Sequence, residues 1–137
     1  MSRTAGGRAS ARVAARVVLG AMLMFAGTSH LTFARKPFQA QVPLWFPADP
    51  DRVVLASGVV EIALGATVAA APERHRRLIG NTAAAFFAAV FPGNIAQYQH
   101  HRDAFGLDTD RKRAVRLLGQ PVLIAWALWS TRTCRRP

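Results

Sequence analysis

The chain has 137 residues, a formal net charge of +11 and a hydrophobic content of 51%. This length suits one domain, so we expect residues 1–137 to form a single transmembrane domain. The basic residues lie in short clusters between long apolar stretches, where lipid head groups account for them, and we therefore expect no nucleic-acid partner. The only cysteine, Cys134, excludes an intramolecular disulfide, a dithiol pair and a cysteine-based metal site.

Four apolar segments are long enough to cross a bilayer, for which roughly 20 residues are needed. They cover about 13–33, 53–71, 78–98 and 114–131. The fourth is the weakest, because it contains Arg116, Gln120 and Pro121. The pattern predicts an all-α fold: an integral membrane four-helix bundle. We expect a multi-pass protein of a bacterial plasma membrane, with the lipid bilayer as its surroundings.

Two other interpretations of the apolar segments are less favoured. A soluble helical bundle needs a polar face on each helix, and stretches such as "TAAAFFAAVF" have none. A cleaved signal peptide would explain the basic start and the apolar run after it. Its small-x-small cleavage site is poor here, however, and three more apolar segments follow.

The orientation follows from the Lys and Arg residues that flank the segments. With the N-terminus inside, ten of them lie on the cytoplasmic side and eight on the outer side. The arm before the first segment also has no acidic residue. We therefore expect an N-inside/C-inside protein with short basic cytoplasmic tails.

The loop between the first two segments is rich in proline and aromatic residues. Its four prolines exclude a regular helix, and aromatic side chains such as Trp45 and Phe46 favour the interface of the membrane with water. This interfacial loop could cap the mouth of the bundle or simply form part of an aromatic belt. The prolines are Pro37, Pro43, Pro47 and Pro50.

Glu61 lies in the middle of the second apolar segment. The eight Val, Leu and Ile residues of that segment contribute roughly −2 to −5 kcal/mol toward insertion, and a central acidic group costs around 3 kcal/mol. The carboxyl group should therefore face the bundle interior. Small residues on the same face, Gly58 and Gly65, would let another helix come close.

The other segments each carry a polar group at a similar depth: His30, Asn94 and Gln120. Because chain direction alternates between successive spans, these groups and Glu61 all lie within about 12 Å of the same membrane face. Pro92 and Gly93, just before Asn94, predict a helix break that lines a cavity. The four residues thus predict a polar, ligand-binding pocket. For Asn94 and Gln120, bonding to carbonyls freed by the break is an equally good explanation.

The order of these motifs resembles that of the DoxX-like membrane proteins, over roughly residues 17–129. That family has four helices, and its pattern places a His late in the first, Gly-x-x-Glu in the second, Pro-x-Asn in the third and a Gln in the fourth. The matching residues here are His30, Gly58 with Glu61, Pro92 with Asn94, and Gln120.

The resemblance implies a quinone-linked or redox-accessory subunit, whose partner would be a soluble or membrane oxidoreductase. A quinone is then the expected ligand, held by His30 and Glu61. Haem is not expected, because His30 is the only histidine within the predicted spans. Metal is not expected either, because adjacent histidines such as His100 and His101 rarely point together on a helix and no cysteine lies near them. No catalytic residue is assigned, and the sequence does not fix the oligomeric state. A non-enzymatic binder or carrier of a small lipophilic molecule or ion, and a membrane scaffold or assembly protein, remain open alternatives.

Overall fold

The computed structural model describes the backbone of residues 2–104 and 106–133, and the side chains of these residues from 6 onward. The described part is all-α, with five α-helices and one 3-10 turn, Glu73–His75. The helices are α1 (Ser2–Leu31), α2 (Arg35–Gln39), α3 (Pro50–Ala69), α4 (Arg76–Gln99) and α5 (Asp110–Ser130). Cys134 lies outside the described residues.

Three stretches are long and apolar enough to cross a membrane: Gly6–Leu31, Pro50–Ala69 and Glu73–Gln99. They indicate a multi-pass membrane protein. The predicted fourth segment forms α5, which begins with the charged sequence "DRKRAVR" and is not one of these three candidates. A four-span bundle with both termini inside therefore belongs to the proposals below.

The helices form two antiparallel pairs, in which α1 packs along α3 and α4 packs along α5. The pairs meet where α1 contacts α5 and α3 contacts α4. The indole nitrogen Nε1 of Trp126 on α5 donates a hydrogen bond to the carbonyl of Ala15 on α1, at 3.0 Å. Between the pairs lies a buried apolar cluster of Leu19, Leu23, Leu64, Val68, Ala83, Ala84, Phe87 and Ala127.

Two glycine pairs bring α1 and α3 into backbone contact. A Cβ atom on Gly20 would lie 2.5 Å from the carbonyl oxygen of Gly65, and one on Gly27 would lie 2.5 Å from that of Gly58. In both helices the two glycines are seven residues apart, so they repeat on one face. This close approach fixes how the residues between and beyond the glycines are paired across the interface.

The prolines behave differently from our expectations. α4 continues without interruption from Arg76 to Gln99, so the predicted helix break at Pro92 and Gly93 was wrong. Pro92 removes one backbone hydrogen bond, and the turns on either side still hold the helix. The loop before α3 was expected to have no regular helix, yet α2 forms there. Pro37 is its third residue, in the first turn, where a missing N–H disrupts no intrahelical bond.

α1 is longer than the predicted first span at its N-terminal end. The span was predicted from about residue 13, and α1 begins at Ser2. Ala and Arg, which are strong helix formers, make up six of the eleven residues 2–12.

Candidate functional site

The register set by the glycine pairs places His30 of α1 opposite Glu61 of α3. His30 is one turn beyond Gly27, and its Nδ1 lies 3.0 Å from Ser57 Oγ and 3.1 Å from Glu61 Oε2. Both His30 and Glu61 are buried. The ring of Phe38, from α2, covers the imidazole edge-on with 3.6 Å between the ring centroids.

The hydrogen bonds around Ser57 indicate which nitrogen of His30 carries the proton. The Ser57 hydroxyl donates to the carbonyl of Val54 at 3.0 Å, so its oxygen accepts from His30 Nδ1–H. Because the Nδ1 proton points to Ser57, Nδ1 forms no hydrogen bond with Glu61 Oε2, although the two atoms are 3.1 Å apart. His30 Nε2 and Glu61 Oε2 are buried, and neither forms a hydrogen bond within the described residues.

The second wall of the site comes from α4 and α5. Asn94 is buried on α4, and its Oδ1 accepts a hydrogen bond of 3.2 Å from Arg116 Nε on α5. Gln120 is one turn beyond Arg116 and lies on the same face of α5. Its Oε1 is buried and forms no hydrogen bond in the part of the chain that the structure describes.

The interfacial loop closes one end of the site. Gly93 on α4 lies against this loop so tightly that a Cβ atom there would overlap the carbonyl oxygen of Gln41. The next residue, Val42, is buried, and its carbonyl accepts a 3.1 Å hydrogen bond from Arg102 Nη1. The side-chain nitrogen Nε2 of Gln41 is also buried, with no hydrogen bond among the described residues.

The connection between α4 and α5 holds the loop from the outside. Arg113 is buried and pairs with Asp103 and Asp110, and its Nε also donates to the carbonyl of Arg102. Asp110 accepts a further hydrogen bond, of 2.7 Å, from His101 Nδ1. This bond lowers the pKa of the Asp110 carboxyl group below its ordinary value. Asp110 thus links Arg113 and His101 within this connection.

These walls enclose a cavity of about 420 Å³, a size typical of small-molecule sites. Trp45 and Phe46 lie at its edge, and Trp45 is 71% exposed. The polar residues on the cavity wall are His30, Gln41, Ser57, Glu61, Asn94, Arg116 and Gln120, and apolar residues such as Leu19, Met22, Leu23, Ala26, Phe86, Phe87, Val90 and Leu123 line the rest.

The structure brings together all four residues expected in the pocket. The same cavity is lined by His30, Glu61, Asn94 and Gln120, beside Pro92, Gly93 and the two aromatic residues of the loop. Asn94 and Gln120 do not repair a broken helix, because α4 is continuous. Both side chains form part of the cavity wall instead.

Arg116 and Gln41 were missed at the sequence level. Arg116 was considered only as a charge that weakens the fourth span, although its spacing of four residues from Gln120 indicates a shared helix face. Nothing in the sequence around Gln41 distinguishes it from an ordinary loop residue.

The charges are distributed over opposite walls of the cavity. The carboxyl group of Glu61 and the imidazole of His30 lie on the α1–α3 side, and the guanidinium of Arg116 lies on the α4–α5 side. A ligand between them would meet the acceptors His30 Nε2 and Glu61 Oε2 at one end and the donor groups of Arg116 at the other, with apolar walls around the remainder. The arrangement suits a neutral lipophilic molecule with two polar ends.

The three apolar helices indicate a multi-pass membrane protein, and a cavity with several polar groups on its wall lies between the helices. The chain belongs to the family described as Domain of unknown function (DUF8561), which matches residues 19–131. No curated protein and no solved structure matches the chain. The matched family is not the DoxX-like family that the motifs suggested, so the redox role implied by that resemblance gains no support from the match.

Proposed function

We propose that this protein binds a small lipophilic molecule with a polar ring in the cavity between its helices, a quinone being the first candidate. The observation that carries the proposal is a set of buried polar atoms on the cavity residues. His30 Nε2, Gln41 Nε2, Glu61 Oε2 and Gln120 Oε1 have no hydrogen-bond partner within the described residues. Leaving such groups unsatisfied costs roughly 1–3 kcal/mol each, so a ligand that bonds to them would be held firmly.

A quinone has the chemistry that this cavity could accommodate. Its two carbonyl oxygens lie at opposite ends of a flat ring, and each accepts hydrogen bonds. Arg116 and Gln41 supply N–H donors for such an oxygen. On the opposite wall, His30 Nε2 and Glu61 Oε2 would accept hydrogen bonds from the hydroxyl groups of the reduced quinol form. The apolar residues toward Leu19 and Phe86 would contact an isoprenoid tail.

A redox role would need a partner. Reduction of a quinone to a quinol takes up two electrons and two protons. The electrons would come from a soluble or membrane oxidoreductase. His30 and Glu61 are adjacent titratable groups that could deliver protons to a ring oxygen.

In the topology that we propose, the chain crosses a bacterial plasma membrane four times, α5 is the fourth span, and both termini lie in the cytoplasm. In support, α5 packs against α4 from Arg116, which bonds to Asn94, to the contact of Thr131 with Gly80, and Arg116 lines the cavity. An ionisable group within a span is expected to face such an interior cavity.

Mass spectrometry of the lipids that co-purify with the protein tests the proposal. We expect a quinone at close to one molecule per chain after extensive washing in detergent. Another lipophilic molecule at that ratio would assign the cavity to a carrier without redox turnover. Recovery of bulk phospholipid alone would contradict a ligand-binding cavity and favour the scaffold alternative.

A further inference from the structure

A second group of positive charges lies at the opposite end of the bundle from the cavity. Arg16 on α1 is only 7% exposed, and its Nε is buried without a hydrogen-bond partner in the described part of the chain. Gly20, one turn further along α1, packs against Gly65 and Ala69. Arg16 therefore lies level with the last turn of α3, where the chain leaves the bundle.

Arg76 adds a second guanidinium group at this end. It is the first residue of α4, its Nε is also buried without a hydrogen bond among the described residues, and its charge repels that of Arg16. The first turn of α4 has no acidic residue and no side-chain cap. The N–H of Arg76 bonds to the carbonyl of Glu73 in the preceding turn, and the N-terminal end of the α4 dipole adds a partial positive charge beside Arg76.

No acidic residue within the described parts of the chain pairs with Arg16 or Arg76. The acidic residues that do lie beside a basic side chain are all in or around the cavity end of the bundle: Asp51, Glu61, Asp103, Asp108 and Asp110. Glu73, the acidic residue nearest to Arg76 in sequence, is exposed and takes part in none of these contacts. The carbonyl end of α3 supplies only about half a negative charge.

Burying a guanidinium without a counter-charge is costly, so this end of the bundle favours an anion. Arginine pairs with phosphate oxygens in a two-pronged geometry, and a helix N-terminus binds the same group through its N–H donors. The end of a membrane helix is also the depth at which lipid phosphates lie.

We propose that Arg16, Arg76 and the N-terminus of α4 bind a phosphate group. Two sources have this chemistry, the head group of an anionic phospholipid and free inorganic phosphate. Neither Arg16 nor Arg76 lines the cavity, so this site is independent of the proposed function.

The test uses the purified full-length protein in detergent with equal amounts of phosphatidylglycerol and phosphatidylcholine, and native mass spectrometry counts the bound lipids. We expect wild-type protein to retain the anionic lipid in preference to the zwitterionic one. Arg76→Gln and Arg16→Gln should each reduce this preference by about tenfold, as the loss of one charge-assisted contact does. A parallel arm measures the melting temperature with inorganic phosphate against the same ionic strength of chloride.

Arg77→Gln is the matched control, because Arg77 is exposed and adjacent to Arg76. If Arg77→Gln lowers the lipid preference as much as Arg76→Gln does, only diffuse surface charge is involved and the proposal fails. It also fails if neither the anionic lipid nor phosphate binds wild-type protein better than its control. Stabilisation by phosphate without a lipid preference supports the site and assigns it to a free anion. Should Arg16→Gln not fold, Arg76→Gln alone decides between these results.

Discussion

Glu61 illustrates how a single residue can be interpreted from its surroundings. A carboxyl group in the middle of an apolar helix offsets most of the insertion energy of its neighbours. Glu61 lies at the wall of a cavity, where it contacts His30 across a helix interface that glycines bring close together. A group used only for packing could be replaced there by an amide without loss, whereas a ligand-binding group could not.

Arg116 provides the first prediction at this scale. Arg116→Gln should weaken the binding of decylubiquinone by about tenfold, because one charged donor to a ring oxygen is replaced by a weaker neutral one. Isothermal titration calorimetry on protein in detergent measures the effect. Arg111→Gln removes the same charge from an exposed position on the same helix and should leave the affinity unchanged. Equal affinities for wild type and Arg116→Gln would remove Arg116 from the site.

The polar residues of the site were predictable where depth in the membrane identified them. His30, Glu61, Asn94 and Gln120 could be grouped because an apolar span makes each polar residue conspicuous. Arg116 could not be recognised in this way, since it lies near the charged start of α5, where a basic residue is ordinary. Gln41 depends on a loop conformation that only the packing against Gly93 reveals.

At the scale of the helices, the contact between α1 and α3 determines the geometry of the site. Gly58 lies against Gly27 and close to the Cβ of His30, and Gly65 lies against Gly20. Any side chain at these positions would separate the helices and move His30 away from Glu61. The sequence indicated that Gly58 and Gly65 face a neighbouring helix, but it did not identify which one.

This contact gives a second prediction, for Gly65→Ala. The added methyl group would lie 2.5 Å from the carbonyl oxygen of Gly20 and 2.8 Å from the backbone nitrogen of Met24. Because both neighbours are backbone atoms that cannot move aside alone, we expect destabilisation by about 1–3 kcal/mol in a denaturant titration in detergent.

Gly119→Ala is the matched control for that experiment. It adds the same methyl group on α5, where, apart from the helix's own adjacent backbone, no atom of the described residues lies within 4 Å of the new Cβ. The better helix propensity of alanine should leave stability unchanged or raise it by up to about 1 kcal/mol. Similar losses at both positions would mean that the α1–α3 interface is not as close as described.

Secondary structure near the prolines was the least predictable feature at this scale. Pro92 is exposed on α4, so the missing hydrogen bond affects one turn of a helix that neighbouring turns and the packing against α5 keep intact. Pro37 falls in the first turn of α2, where it is compatible with a helix. In both cases the position of the proline within its helix decided the outcome, and that position depends on boundaries that the sequence pattern does not define sharply.

For the whole molecule, the number of spans is the main question. Three helices meet the length and hydropathy expected of a span, and α5 does not, because four of its first seven residues are Lys or Arg. The apolar part of α5, "VLIAWALW", still contributes Ala127 to the buried cluster, with Leu123, Ile124 and Trp126 packed against it. The hydropathy of isolated segments could therefore predict a multi-pass protein, but it could not show whether the last helix crosses the membrane.

Cysteine labelling separates the two topologies in a third prediction. With four spans and the N-terminus inside, a membrane-impermeant thiol reagent applied to intact cells should leave Cys134 unmodified. It should modify a cysteine placed by Ala48→Cys, which lies in the exposed loop between α1 and α3, after Cys134 has been replaced by serine. Modification of both positions from outside would mean that α5 does not cross the membrane. Modification of Cys134 alone would mean that the orientation is reversed.

The most direct test of the ligand-binding cavity compares the lipids that co-purify with wild type, Glu61→Gln and Glu73→Gln, all quantified per mole of protein. Glu61→Gln keeps the shape of the side chain and removes its charge, and Glu73→Gln makes the same change at an exposed turn. We predict that wild type and Glu73→Gln retain one lipophilic ligand per chain, and that Glu61→Gln inserts and purifies normally but retains at least about tenfold less. Full retention of the ligand by a well-folded Glu61→Gln protein would contradict the account and leave Glu61 as a packing residue.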